Sequence, residues 1–257
     1  MINYLWAVSP SIFILVIVYL IDKFREPKST VFVSFLLGCG FVLVLYFLKI
    51  PFQFLLNSYS GDDFWDYWIW TMYVEAGFFE EACKFGVLYL YCLKYKNFNE
   101  PMDAIVYGVA VSLGFSAYEN IAYVDSEQMR YVRIVPTLMH ASTGIIMGLL
   151  LSKFIKFEVP NTLRIYLALI IPIIMHGTYN IICLMQDVAF DYKSVAIIYF
   201  IIGILIILIT RNKQKNKIWE EEYLIKHENK YFVKSVFWSF ISVIVLCLIL
   251  SNIQLYG

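Results

Sequence analysis

Long uninterrupted apolar runs are the feature of this sequence that most restricts its fold. Each run is close to the roughly 20 residues that an α-helix needs to cross a bilayer, and each is bounded by charged or turn residues. The predicted spans are residues 3–21, 31–50, 68–93, 102–123, 134–152, 163–185, 194–210 and 232–251. Backbone polar groups in lipid must be satisfied within the helix itself. The sequence therefore predicts an all-α, polytopic membrane protein with about eight transmembrane helices.

The composition excludes a soluble domain of this size. Hydrophobic residues make up 61% of the chain and charged residues 16%, whereas soluble domains are about 45–50% apolar and about 25% charged. The spans leave little chain for a second domain, so residues 1–257 are predicted to form one transmembrane domain whose surroundings are the lipid bilayer. The net charge of zero argues against nucleic acid as a partner.

The distribution of lysine and arginine predicts the orientation. Counted over alternate loops, fifteen of the 20 basic residues fall on one side of the membrane. The other side carries Lys49, Arg130, Arg133 and Lys193, and Lys84 lies inside a span. Because the cytoplasmic side of a membrane protein is the richer in basic residues, both termini are predicted to be extracytoplasmic.

Ionisable side chains cluster in four consecutive spans. The spans from the third to the sixth contain Glu75, Glu80, Glu81, Lys84, Glu119, Asn120, His140, His176 and Asn180. Such groups cost several kcal/mol at membrane depth and are therefore candidates for function. The helical rise places one polar group of each span roughly 18–25 Å from its cytoplasmic end. We therefore expect a four-helix catalytic core over about 68–185, with its site in the outer half of the membrane.

The spacing within two of these spans predicts side-chain partners. Glu80 and Lys84 are four residues apart with the acid first, which is the favoured order for a helical ion pair. Glu81 lies about 100° further round the helix, so either glutamate could face a cavity. His176 and Asn180 are also four residues apart, so both can point at one bound oxygen atom.

A pair of glycines is predicted to have a structural role. Gly144 and Gly148 follow His140 in the fifth span with the spacing of a small-xxx-small motif. In membranes this motif allows two helices to approach closely.

The cluster is suited to the activation of water, and two mechanisms are open. In the first, a buried carboxylate acts as general base, a histidine passes the proton, and a histidine with an asparagine amide stabilises an oxyanion. In the second, Glu81, His140 and His176 bind zinc with an open position for water. No HExxH motif is present. The Glu80–Lys84 pair, and Asn180 one turn after His176, favour catalysis without a metal cofactor.

Four motifs, taken in chain order, carry a family resemblance. They are Glu80-Glu81-Ala82-Cys83-Lys84, Phe115-Ser116-Ala117-Tyr118-Glu119-Asn120, His140 with Gly144, and His176-Gly177-Thr178-Tyr179-Asn180. These segments resemble the EExxK, FxxxEN, His and HxxxN motifs of the PrsW family of intramembrane proteases, within the superfamily of the CAAX prenyl endopeptidases. The resemblance covers roughly residues 75–185. The flanking spans carry no matching motif.

The resemblance implies a role for each motif residue. Glu80 and Glu81 would be the catalytic glutamate pair, His140 the water-assisting histidine, His176 with Asn180 the oxyanion-side pair, and Glu119 a further site carboxylate, with Lys84 and Asn120 in support. It also implies an intramembrane endopeptidase of the bacterial cell membrane. Its substrate would be a single-span membrane protein, such as an anti-sigma factor, cut near the extracytoplasmic side.

Two other functions use the same buried groups. A proton-coupled transporter also needs intramembrane carboxylates and histidines. Such transporters often have repeated halves, and the sequence contains no internal repeat. A non-catalytic membrane partner protein could retain the fold, but loss of a motif residue would then be expected and none is missing.

Overall fold

A computed structural model describes residues 2–58, 64–95, 98–123, 133–152, 162–185 and 192–214. Within these residues the fold is entirely helical, as predicted. The helices are α1 (Ile2–Ile21), α2 (Lys28–Ser58), α3 (Phe64–Ile69), a π-helix (Trp70–Phe78), α4 (Phe79–Leu90), a 3-10 turn (Cys92–Lys94), α5 (Pro101–Tyr123), α6 (Ile134–Leu151), α7 (Thr162–Leu184) and α8 (Tyr192–Lys213).

Six of the described helices are long and apolar enough to cross a membrane, and they match six predicted spans. The predicted third span, 68–93, is instead divided into the end of α3, the π-helix, α4 and the 3-10 turn. That segment carries the glutamates and the lysine of the first motif, which lower its mean hydropathy. The predicted eighth span, 232–251, lies outside the described residues.

Helix α5 forms the centre of the bundle. Most of its residues are buried, and it packs against α1, α2 and α6. The central cluster of apolar side chains extends from α5 to its neighbours and includes Leu88, Tyr107, Ile145 and Ile207. Because α5 is surrounded by other helices, the polar side chains near its two ends need hydrogen-bond partners from those helices.

Glycines set the distance between α5 and α6. A Cβ atom on Gly144 would lie 2.6 Å from the Gly108 carbonyl oxygen, and one on Gly148 would collide with the Ala104 carbonyl. The predicted structural role of Gly144 and Gly148 is therefore confirmed. This contact brings the backbones of α5 and α6 together about one to three helical turns from Glu119 and His140, the polar residues that the two helices contribute to the site.

An asparagine ties three helices together near the other end of α5. The Asn120 amide nitrogen donates to the Ala7 carbonyl at 3.1 Å and to the Thr137 hydroxyl at 3.0 Å. These bonds join α5 to α1 and α6. Asn120 is fully buried, so its contribution is to hold helices in place.

The glycine contact yields a stability prediction. We expect Gly144→Ala to lower the thermal unfolding midpoint of the detergent-purified protein, because overpacking costs about 1–3 kcal/mol. Gly40→Ala is the matched control, since Gly40 is a helical glycine whose Cβ would meet no atom within 4 Å. Equal midpoints for the two variants would contradict the close approach of α5 and α6.

Candidate active site

Polar side chains of α4, α5, α6 and α7 line one cavity of about 500 Å³, to which α2 and the π-helix also contribute. The cavity lies between α4, α5, α6 and α7, toward the end of the bundle where α5 terminates. The residues singled out in the sequence that line it are Glu75, Glu80, Glu119, His140, His176 and Asn180. Glu81, Lys84 and Asn120 are not among the lining residues, and all three are fully buried behind it.

Lys84 pairs with Glu81 rather than with Glu80, which corrects the predicted ion pair. The Lys84 ammonium lies 2.7 Å from Glu81 Oε1, and both side chains are completely buried. It also lies 4.4 Å from the centre of the Phe115 ring. A spacing of three residues serves as well as four for a helical ion pair. Glu80 is thereby left to face the cavity.

Both ring nitrogens of His140 are engaged. Its Nδ1 lies 2.8 Å from the Lys84 ammonium, and its Nε2 lies 2.8 Å from Glu119 Oε2. An ammonium group can only donate, so Nδ1 accepts from Lys84 and the ring proton resides on Nε2. His140 therefore donates to Glu119, and its ring orientation is fixed by both contacts.

His176 has one engaged nitrogen and one that faces a carboxylate in the cavity. Its Nδ1 donates to Glu81 Oε1 at 2.9 Å, which fixes the ring. Its Nε2 lies 3.7 Å from Glu80 Oε2, beyond hydrogen-bond distance. Asn180, one turn later on α7, lines the same cavity. The two side chains thus share a face, as their spacing predicts.

Glu80 lines the cavity but lacks the short ion-pair contacts of the other two site carboxylates, since the histidine nitrogen facing it lies 3.7 Å away. Its Oε2 atom, like that of Glu81, is buried and has no hydrogen-bond partner among the described residues, and its residue is 7% exposed. Glu81 and Glu119 each accept from a histidine and lie within ion-pair distance of a lysine or arginine. Glu80 therefore keeps an oxygen atom that can accept a proton from a ligand in the cavity.

Arg133 is a site residue that the sequence reasoning missed. Its Nη2 lies 3.6 Å from Glu119 Oε2, and its Nε donates to Asn120 Oδ1 at 2.8 Å. Asn120 thus supports the site indirectly, through Arg133. Arg133 was counted only as a loop charge, but its place directly before a motif-bearing span is a signal that could have identified it.

A π-helix sets the position of the glutamate pair. It covers Trp70–Phe78 and ends just before Glu80. Its Tyr73 ring packs against Gly177, where any Cβ would collide with it, and the Tyr73 hydroxyl lies 2.8 Å from Thr178 Oγ1. π-helical turns occur often at functional sites. Here the π-helix fixes α4 against the part of α7 that carries His176.

The residue types at the site also fit a metal ion. Glu81, His140 and His176 each offer a ligand atom, and these atoms lie within 4.8 Å of one another. Glu81 Oε2 has no hydrogen-bond partner among the described residues. Two histidines and a glutamate are a known zinc ligand set. The Lys84 ammonium, however, already contacts both Glu81 and His140.

The helices and the buried carboxylate–histidine cluster define a multi-pass membrane protein with a candidate hydrolytic site. Residues 26–209 match the PrsW family of intramembrane metalloproteases. The chain therefore belongs to the PrsW family, whose members are membrane proteases.

Curated relatives extend over most of the chain. Protease PrsW of Bacillus subtilis (strain 168) is 33% identical over 181 residues, which are 68% of this chain and 80% of that protein. Protease PrsW of Oceanobacillus iheyensis is 29% identical over 218 residues, which are 82% and 94% of the two chains. Protease PrsW of Clostridioides difficile (strain 630) is 30% identical over 172 residues, or 63% and 70%. No solved structure matches the chain.

The ion pair yields a prediction that separates the two glutamates. We expect Glu81→Gln to lower the free energy of unfolding by about 3–5 kcal/mol, because it leaves the buried Lys84 ammonium without its counter-charge. Glu80→Gln makes the same exchange one residue earlier and should unfold near the wild-type midpoint. Thermal unfolding in detergent measures both variants. Adding Lys84→Met to Glu81→Gln should recover much of the loss, and equal midpoints for the two single variants would contradict the assignment.

Proposed function

We propose that this protein is an intramembrane endopeptidase that hydrolyses a peptide bond with a water molecule activated by Glu80. The observation that carries the proposal is the position of Glu80, which lines the cavity with His176 and Asn180 and whose Oε2 atom has no hydrogen-bond partner among the described residues. A general base needs an acceptor atom that is not already hydrogen-bonded and that lies close to groups that can stabilise the developing charge.

The proposed reaction begins when the Glu80 carboxylate accepts a proton from water. The hydroxide oxygen bonds to the scissile carbonyl carbon, and the carbonyl electron pair moves to its oxygen. The Asn180 amide donates a hydrogen bond to this oxyanion, and His176 donates a second from Nε2 when both of its ring nitrogens carry a proton. The oxyanion electron pair then re-forms the carbonyl bond, the C–N bond breaks with its electron pair on nitrogen, and Glu80 gives the proton to that nitrogen. The products are a carboxylic acid and an amine.

The buried groups behind the cavity hold these residues in place. Glu81 accepts from His176 Nδ1 and so orients the Nε2 atom toward the cavity. His140 and Glu119 form the opposite wall, where their hydrogen bond at 2.8 Å is supported by Lys84 and Arg133. We assign Glu81 to positioning, and His140 and Glu119 to the electrostatics and hydration of the cavity. Fixed dipoles of this kind cost no reorganisation during the reaction.

The proposed substrate is a single-span membrane protein, such as an anti-sigma factor, cut near the extracytoplasmic side of a bacterial cell membrane. The predicted topology supports this choice, because it puts both termini and the site on the outer side. The cavity end of the bundle also carries Lys49 and Arg133, two of the few basic residues predicted to be outside. A substrate segment next to the membrane would reach the cavity at that depth.

We further propose that catalysis is metal-free. If zinc is bound, Glu81, His140 and His176 would hold it, and it would supply an acidified water molecule. The Lys84 ammonium supports the metal-free alternative, because a cation bound by Glu81 and His140 would have to displace it or lie beside it. Like charges in a buried site repel strongly.

The first activity prediction concerns the general base. Co-expression with a panel of single-span anti-sigma factors should reveal cleavage by the wild type, detected as a shortened substrate on an immunoblot. Glu80→Gln and His176→Ala should each reduce cleavage at least a hundredfold, because proton acceptance and oxyanion stabilisation are each worth about 10²-fold or more. His227→Ala is the control and should cleave normally, because His227 falls between the predicted spans 194–210 and 232–251. Normal cleavage by Glu80→Gln would refute its assigned role.

The second activity prediction tests the cofactor. Purified protein treated with a strong chelator and then desalted should retain its cleavage rate, with less than one zinc per chain by elemental analysis. Loss of activity together with one equivalent of zinc, and recovery when zinc is added back, would show that the metal-free proposal is wrong. Glu80→Gln should be inactive whether or not zinc is added.

A further inference from the structure

Four carboxylates meet at the end of the bundle opposite the active-site cavity. Asp22 and Glu26 follow α1, while Glu100 and Asp103 lie at the start of α5. All four residues are buried, with exposed fractions between 0% and 4%. Along α5, Asp103 is about 24 Å from Glu119. The cluster is therefore separate from the proposed catalytic site.

Hydrogen bonds from the described residues reach one oxygen atom of each aspartate in this cluster. Asp103 Oδ2 accepts from the backbone N–H groups of Asn99 and Glu100, each at 2.8 Å. The Gln214 amide donates to Asp22 Oδ1 at 2.8 Å and also to Glu100. Asp22 Oδ2 and Asp103 Oδ1 are buried and have no hydrogen-bond partner among the described residues.

The two aspartates also lack a neutralising side chain within the described part of the chain. No lysine or arginine there forms an ion pair with Asp22 or Asp103. The neighbouring Lys23 ammonium points instead at the Gln214 carbonyl. Buried charges of one sign require a partner.

The spacing of the carboxylates suits one shared cation. Asp22, Glu100 and Asp103 each offer an oxygen atom, and these atoms lie within 4.8 Å of one another. Carboxylate oxygens are the preferred ligands of hard cations such as Mg²⁺, Ca²⁺ and Mn²⁺. We propose that Asp22, Glu100 and Asp103 bind one hard divalent cation at this end of the bundle.

Such a cation would join the end of α1 to the start of α5 directly, and would involve the end of α8 through the hydrogen bonds that Gln214 donates to two of the ligands. Asp22 marks the end of α1, Asp103 the first turn of α5, and Gln214 the residue after α8. The bound cation would lock these helix ends together. Its ligands share no residue with the Glu81–His140–His176 set, so the inference stands or falls independently of the proposed protease activity.

Thermal unfolding of the full-length protein in detergent tests the site. After chelation and desalting, Mg²⁺, Ca²⁺ or Mn²⁺ is added separately at 1 mM. At least one of them should raise the unfolding midpoint of the wild type by about 5 °C or more. Asp22→Asn and Asp103→Asn should abolish the shift while keeping an oxygen acceptor for the existing hydrogen bonds. His176→Ala should retain it, because it alters only the other ligand set.

Binding of Mn²⁺, followed by electron paramagnetic resonance, gives a readout that does not depend on unfolding. One tightly bound Mn²⁺ per chain is expected for the wild type and for His176→Ala, and Asp103→Asn should weaken it at least tenfold. Three results would overturn the proposal. They are no shift and no binding with any of the cations, an unchanged response in both aspartate variants, and loss of binding in His176→Ala, which would place the ion at the catalytic cavity.

Discussion

The arrangement of the site depends on one buried ammonium group. Lys84 contacts Glu81 and His140 at 2.7 and 2.8 Å and is almost completely buried. A charge in that position is tolerated only with a counter-charge and further hydrogen bonds. Glu81 must therefore turn inward, which leaves Glu80 to face the cavity. The orientation of both histidines follows from the same contact, directly for His140 and through Glu81 for His176.

Close packing around α5 makes this arrangement stable. Gly108 and Gly144 bring α5 and α6 into backbone contact, and Asn120 ties the far end of α5 to α1 and α6. Because α5 and α6 cannot shift far relative to one another, His140 and Glu119 can hold a hydrogen bond of 2.8 Å between the two helices. Two groups of buried polar residues therefore lie at opposite ends of the bundle. One end holds the proposed catalytic groups, and the other holds a buried carboxylate cluster in which Asp22 and Asp103 each have an oxygen atom without a hydrogen-bond partner among the described residues.

Much of the site could be predicted because intramembrane charges are costly. Glu80, Glu119, His140, His176 and Asn180 stand out in apolar spans, and they do line one cavity. Arg133 did not stand out, because a basic residue at a span boundary is common. The carboxylate cluster was not predicted either, because its members lie at the ends of spans, where charged residues are expected to be exposed to water. Only folding shows that those ends are buried.

The sequence by itself determined the helical class, most of the spans, membership of the polar cluster and the face shared by His176 and Asn180, because these follow from hydropathy and the helical repeat. The tertiary structure decided which glutamate pairs with Lys84, since spacings of three and four residues are both compatible with an ion pair. The presence of a π-helix before Glu80 was also determined by the tertiary structure. That helix depends on the packing of Tyr73 against Gly177, a contact between distant segments that no local pattern encodes.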